Sequence, residues 1–294
     1  YRVTPPCFGV NSITLARRGV VLLGCGKMGG AMLSGWLRGG LPATAVHVID
    51  PNPSDWLRLQ GVSINGDLPA SPAIVVVAVK PQMMGAALPA IQRFGGGPTL
   101  FLSVAAGTTI GTYDTVFGAG SPIIRSMPNT PAAIGRGITA MIGNAQATAA
   151  HLDLAEQLLS AVGQVVRLDH EGQIDAVTAV SGSGPAYVFH LIETMAKAAE
   201  AEGLAPALAL RLARATVAGA GALAEASDDS PAQLRINVTS PNGTTQAALE
   251  VLMGANLIET VDLKAAGPGS PAALHAAIEA IKISKSDIYR YVAD

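Results

Sequence analysis

The stretch GVVLLGCGKMGGAML (residues 19–33) constrains this chain more than any other. A short apolar run bounded by glycine reads as a strand buried on both faces. Gly24, Gly26 and Gly29 follow it in a GxGxxG spacing, and a helix-like pattern opens directly after them. The spacing alone is weak, but strand before and helix after is the context that gives it meaning. Gly24 permits the tight turn, Gly26 lets the backbone approach a pyrophosphate, and Gly29 permits close helix–strand packing. A turn with no ligand could use the same glycines. The context favours a dinucleotide.

The remainder of the first half fits that start. Apolar runs at 19–24, 45–50, 73–81, 100–107, 122–129, 137–143 and 163–168 are predicted strands. Helical patterns at 31–40, 53–61 and 151–161 lie between them. Strands interleaved with helices predict a parallel, doubly wound, Rossmann-like α/β sheet. After about residue 168 the β-branched runs vanish and alanine becomes abundant. Helices are predicted over 185–203, 205–227 and 270–292. The expected organisation is an extension over 1–18, a dinucleotide-binding domain over 19–168, and an all-α domain over 169–294. The extension is expected to be disordered; it lacks the long apolar core of a signal peptide.

Composition narrows the partners. The net charge is −2, from 19 basic and 21 acidic side chains, so neither nucleic acid nor an anionic membrane is an expected partner. The mean hydropathy is +0.39 while charged residues make up only 14%. No apolar run reaches the length of a membrane span without glycine, proline or charge breaking it. The excess apolar surface is therefore assigned to a subunit interface, with the helical half forming a homodimer. Cys7 and Cys25 stand far apart with no CxxC, which fits a reducing, cytoplasmic location. No HExxH is present and the five histidines are scattered, so no metal site is expected.

Two further features point to ligands. Asp50 ends the second predicted strand, about twenty residues beyond the glycines, where an acid commonly takes the ribose 2′-hydroxyl of NAD. A carboxylate there would repel a 2′-phosphate, so NADH is slightly favoured over NADPH. Helix capping is the other reading of Asp50, since Pro51 and Pro53 follow. The second feature is SPNGTT (240–245), which hands a loop over to the apolar run QAALEVLM. A helix start carries unpaired N–H groups and partial positive charge, and suits an anion. An ordinary cap would look the same.

Five ordered motifs give these features a common setting. DAVTAVSGSGPAYVF (175–189) resembles the signature of the pyrroline-5-carboxylate reductase family, and SPNGTT resembles that family's SPGGTT segment. AVKP (78–81), SVAAG (103–107) and RSMPNTP (125–131) match in the same order. The resemblance runs from about Gly19 to Tyr291. It implies a Rossmann-like domain, a helical domain that dimerises by interleaving, and dimers that often assemble into larger rings, commonly decamers. It implies NADPH- or NADH-dependent reduction of the small molecule 1-pyrroline-5-carboxylate to L-proline, the last step of proline synthesis. Carried onto this sequence, the cofactor would touch Gly24, Cys25, Gly26, Lys27, Met28 and Gly29. It would also touch Ala78, Val79, Lys80 and Pro81, then Ala105, Ala106 and Gly107, and Asn129. Glu171 corresponds to a cofactor-proximal acid in some members. The substrate would touch Ser240, Asn242, Gly243, Thr244 and Thr245, with Thr245 nearest the imine nitrogen. Three positions depart from the family's habit: Lys27 replaces a neutral polar residue, Asp50 a small hydroxyl or amide, and Asn242 a glycine.

The chemistry is consistent with these residues. Imine reduction needs a hydride, a held carboxylate and one proton, with no nucleophile or metal. The amides of Gly243, Thr244 and Thr245 offer a nest for the carboxylate. Threonine is a poor acid, so Thr245 is expected to polarise the ring nitrogen rather than protonate it. Arg125 reads as a structural charge. Two other functions remain open. One is another cyclic-imine or β-hydroxyacid reductase of the same build; the latter would want a catalytic lysine on the first helix of the second domain, where only Lys197 stands, late. The other is a dinucleotide-sensing protein without turnover, which would not need SPNGTT.

Overall fold

The computed structural model describes residues 11–254. It divides into two compact units, the first ending at Gly182 and the second beginning at Ser183. The expected boundary after residue 168 moves because Glu171 and the segment after it pack onto the sheet. The helix expected over 270–292 lies outside the described residues.

The first unit opens with α1 (Asn11–Arg18), β1 (Val20–Leu23), α2 (Lys27–Arg38), β2 (Val46–Ile49), α3 (Asp55–Arg58) and β3 (Ser63–Ile64). It continues with β4 (Ile74–Val77), α4 (Met84–Ala87), β5 (Leu100–Ser103), α5 (Ile110–Phe117) and β6 (Ile123–Met127). It closes with β7 (Gly137–Gly143), α6 (Ala149–Leu159), β8 (Gly163–Arg167) and α7 (Gln173–Val177). The strands form one sheet in the order β3-β2-β1-β4-β5-β6-β7-β8. Strand alternation divides the core in two. Val20, Leu22, Ile74, Val76, Leu100 and Leu102 face one cluster, with Met32, Leu33 and Trp36 of α2 and Leu154 and Leu158 of α6. Val21, Leu23, Val75, Val77 and Phe101 face the other, with Ile110, Tyr113 and Phe117 of α5. A sheet buried on both faces has no use for polar alternation, which is why its strands read as continuous apolar runs. The indole of Trp36 donates to the Leu158 carbonyl at 2.9 Å, joining α2 to α6, and the rings of Phe101 and Phe117 stack at 3.9 Å.

Two expectations for this unit need correction. Residues 11–18 are a helix rather than part of a disordered extension. Leu15 is fully buried in the first cluster, and the Arg18 guanidinium donates to the Pro72 carbonyl at 3.0 Å. The sheet is mixed, because β7 runs antiparallel to β6 while every other ladder is parallel. The β4–β5 crossover is broken into short turns of helix over 81–94, which Pro81 and Pro89 interrupt.

The second unit comprises α8 (Gly184–Ala201), α9 (Pro206–Ala226), α10 (Pro231–Asn237) and α11 (Thr244–Gly254) among the described residues. Helix α8 carries Pro185 in its first turn and is closed by a left-handed glycine beyond its end. Gly203 has φ +91°, and Leu204 N–H and Gly203 N–H donate to the Ala199 and Glu200 carbonyls. Those paired bonds are a Schellman closure, which satisfies carbonyls that the helix end leaves over. Among the described residues of this unit, the buried side chains are Ala196 of α8 and Ala209 and Ala213 of α9. Many larger apolar residues stay exposed, Phe189 (61%) and Leu212 (48%) among them.

Candidate active site

The cofactor candidates gather at the C-terminal ends of β1, β2, β4, β5 and β6. In an open α/β sheet that edge is where ligands bind. Gly24 has φ +88°, a region L side chains rarely adopt. A Cβ on Gly29 would lie 2.3 Å from the Gly24 carbonyl oxygen, so only glycine lets α2 pack this closely on the loop. At Gly26 a Cβ would meet nothing within 4 Å, leaving open space in front of the loop. Gly26 is also the N-cap of α2, and no side chain caps it. An uncapped helix start facing open space, with exposed Lys27 at its first position, fits a pyrophosphate.

Asp50 is more occupied than its position suggested. One carboxylate oxygen accepts from the Cys25 N–H at 2.7 Å, and the other from the Asn52 N–H at 2.8 Å. The residue therefore braces the glycine loop and caps the turn after β2, whatever else it binds. Burial, and secondarily the negative charge of Asp50, push the Cys25 thiol pKa up to about 11.

The AVKP and SVAAG turns lie on the adjacent strands. A Cβ on Gly24 would touch Val79 and the Ala78 carbonyl, so Ala78 and Val79 form the wall against which the glycine loop turns. Lys80 and Pro81 are exposed beyond it. The SVAAG turn is held at both ends. Ala105 N–H donates to Ser103 Oγ at 3.2 Å, and Ser103 Oγ in turn meets the Tyr113 hydroxyl at 2.6 Å. Ala106 and Gly107 are exposed between the anchors, and Gly107 has φ +74°. At the far end, Glu171 Oε1 accepts from the Ile110 N–H at 2.8 Å, where α5 starts. The same oxygen accepts from the nearly buried Arg125 guanidinium at 2.7 Å. Arg125 is thus the structural charge expected, and Glu171 is its partner. Asn129 bridges in a similar way. Its Oδ1 accepts from the Ile138 N–H and its Nδ2 donates to Ser181 Oγ, inside the segment Thr178–Gly182, which winds as a π-helix.

The substrate candidates belong to the second unit. Ser240–Gly243 is a β-turn in which Gly243 N–H donates to the Ser240 carbonyl at 3.1 Å. Pro241 stands second and Asn242 third with φ +58°, the pattern of a type II turn. Asparagine is among the few residues that tolerate that angle, which explains how it replaces a glycine. The nest is smaller than expected, because the Gly243 amide is spent on the turn. Asn242 N–H is also taken, by Gln246 Oε1 at 2.9 Å. The amides of Thr244 and Thr245 remain at the start of α11, as first-turn amides do. Ser240, Asn242, Thr244 and Thr245 are all exposed. Gln246 was not anticipated, although a glutamine three residues into a helix is a known capping signal.

The comparisons with known proteins agree with this geometry. Residues 19–107 match a family model described as NADP oxidoreductase, coenzyme F420-dependent, and residues 171–265 match one described as pyrroline-5-carboxylate reductase dimerisation. The pyrroline-5-carboxylate reductase of Pseudomonas aeruginosa is 41% identical over 79% of this chain and 87% of its own. That of Methanosarcina acetivorans is 34% identical over 83% and 90%. Among solved structures, the Coxiella burnetii pyrroline-5-carboxylate reductase superposes with TM-score 0.76 at 32% identity, covering 92% of this chain and 99% of that one. The Plasmodium falciparum pyrroline carboxylate reductase with NADP bound gives TM-score 0.73 at 25% identity, over 92% and 98%. With such identity sustained across most of both chains, this chain belongs to the pyrroline-5-carboxylate reductase family.

Proposed function

We infer that this chain reduces 1-pyrroline-5-carboxylate to L-proline with a reduced nicotinamide dinucleotide. The observation that carries the reading is identity to reductases of that name along most of the chain, joined to an uncapped glycine loop at the sheet's ligand edge. Bound cofactor supplies the hydride to the imine carbon. The protein's part is to hold and orient. The glycine loop receives the pyrophosphate, and the SVAAG turn, braced by Ser103 and Glu171, lines the cofactor further along the strand ends. The Thr244 and Thr245 amides hold the substrate carboxylate, and the Thr245 hydroxyl donates to the ring nitrogen. The one proton that the ring nitrogen needs arrives through water, or is already there, in which case the iminium N–H donates to the Thr245 hydroxyl instead; threonine is too weak an acid to supply it.

The finer cofactor preference is for NADH. Asp50 keeps a carboxylate at the end of β2, and each oxygen accepts a single amide, leaving lone pairs for a ribose hydroxyl. A 2′-phosphate would meet that charge. The β-hydroxyacid reading is weakened because Lys197, the only lysine of α8, is committed to an ion pair with Glu193 on an exposed helix face. The second unit is proposed to form the homodimer, with decameric rings as the larger assembly. The chain's two cysteines, Cys7 and Cys25, far apart and without a CxxC, support a cytoplasmic location. Oxidation of NADH and NADPH in the presence of pyrroline-5-carboxylate tests the function and the preference together. Turnover with higher kcat/KM for NADH is expected. No turnover with either cofactor would overturn the reductase reading, and a strong NADPH preference would overturn the role given to Asp50.

A further inference from the structure

We propose that Asn65 is a positioning residue for the dinucleotide site, acting through Asp50. The proposal rests on the reading of the glycine loop as that site. Strand β3 is the edge of the sheet and only two residues long. Its ladder to β2 continues one step further through the Asn65 N–H, which donates to the Val48 carbonyl at 2.8 Å. There the chain turns away, because Asn65 adopts φ +52°. Its side chain stays behind. Asp50 N–H donates to Asn65 Oδ1 at 2.9 Å, and Asn65 Nδ2 donates to the Asp50 carbonyl at 2.8 Å. A carboxamide has the same donor–acceptor pair as a peptide group. It therefore adds a rung after the strand has ended, and that rung falls on Asp50.

The consequence reaches the loop. Both main-chain groups of Asp50 are fixed by Asn65, and both carboxylate oxygens are fixed by Cys25 N–H and Asn52 N–H. The order of dependence runs from the Asn65 amide to the Asp50 backbone, to its carboxylate, to the Cys25 amide, and so to the stretch Gly24–Gly29. Losing the carboxamide frees the peptide that aims the carboxylate. The loop is then held by a side chain whose own anchor is loose. The effect belongs to cofactor affinity, because every group in the network lies at the glycine loop and the ends of β2 and β3.

Asn65→Gly is the informative variant, since glycine accepts the positive φ without strain and removes only the carboxamide. Asn65→Ala adds backbone strain to the same loss. Dissociation constants for NADH and NADPH are measured by calorimetry on the full chain, with kcat, both KM values and thermal melting on the same samples. Loss of both hydrogen bonds, part of it expressed in the folded loop, predicts cofactor Kd raised about tenfold in Asn65→Gly. Saturating kcat and the KM for pyrroline-5-carboxylate stay at wild-type values. Wild-type Kd in Asn65→Gly would overturn the inference. So would a lowered melting point with unchanged Kd, which is what a purely structural turn residue would give. A wild-type chain that binds no dinucleotide would instead overturn the site itself, and this inference with it.

Discussion

At the scale of single residues, a carboxylate and a thiol share one loop, and the first helps silence the second. Cys25 sits between Gly24 and Gly26, in the loop proposed to receive the cofactor. Burial raises its pKa first, and the Asp50 carboxylate raises it further, to about 11. A raised thiol pKa leaves less thiolate at any pH below it. From an ordinary value near 9 the shift means about a hundredfold less thiolate at pH 8. Alkylation of Cys25 in the folded chain, read afterwards on the tryptic peptide 19–27, should therefore be slow at pH 8 and accelerate only as pH approaches 11. Asp50→Asn should recover part of the rate but not all of it, because burial remains the larger cause. Labelling of wild-type Cys25 as fast as a free thiol would contradict this account. Thr245 carries the matching prediction on the substrate side. If its hydroxyl polarises the imine, Thr245→Ala lowers kcat by about tenfold to a hundredfold with the fold intact. Unchanged kinetics would remove it from the mechanism.

At the scale of elements, the glycine loop separates packing from binding within four residues. Gly29→Ala places a Cβ 2.3 Å from the Gly24 carbonyl oxygen, and overpacking of that kind costs about 1–3 kcal/mol. Gly26→Ala meets nothing within 4 Å and sits at φ −71°, which alanine accepts. Gly29→Ala should lower the melting temperature, whereas Gly26→Ala should leave it unchanged while raising the dinucleotide Kd about tenfold or more. Equal binding by Gly26→Ala and wild type would mean that the open space is not where the pyrophosphate lies. This loop was legible from sequence because strand, glycine spacing and helix are all local. The direction of β7 was not, since an apolar run reads the same either way. Its clue was the short β6–β7 connection, Pro128 to Arg136, too brief for a parallel crossover. Helix α5 was hidden because IGTYDTVF carries four β-branched residues besides Gly111, which weakens its helical signal. The roles of Asp50 and Glu171 were half legible: their positions were visible, but the amides they accept come from residues 25 and 61 places away. Asn65 left one clue, an Asn–Gly pair that tolerates positive φ.

At the scale of the whole molecule, the question is what covers the second unit. Helix α9 is 21 residues long with a mean hydropathy of 1.3 in its most apolar window, and only 11% of that window is buried. Length and composition alone would allow it to cross a membrane. Arg211 and Arg214 stand within it, and each charge near a bilayer centre costs roughly 2.5–3.5 kcal/mol. Exposed Phe189, Leu208 and Leu212 instead make a surface of the kind that a second protein chain covers. The match of residues 171–265 to a dimerisation family supports a second copy as that chain. Leu208 and Leu212 are four residues apart and share one face of α9. Both are already exposed within the single chain, so replacing them with glutamate costs the isolated unit little. The double variant Leu208→Glu/Leu212→Glu should sediment as a monomer, while the wild type sediments as a dimer or a multiple of it, without detergent. A monomeric wild type, or one that partitions into vesicles, would reject the dimer. A double variant that keeps the wild-type assembly would place the interface elsewhere on the second unit.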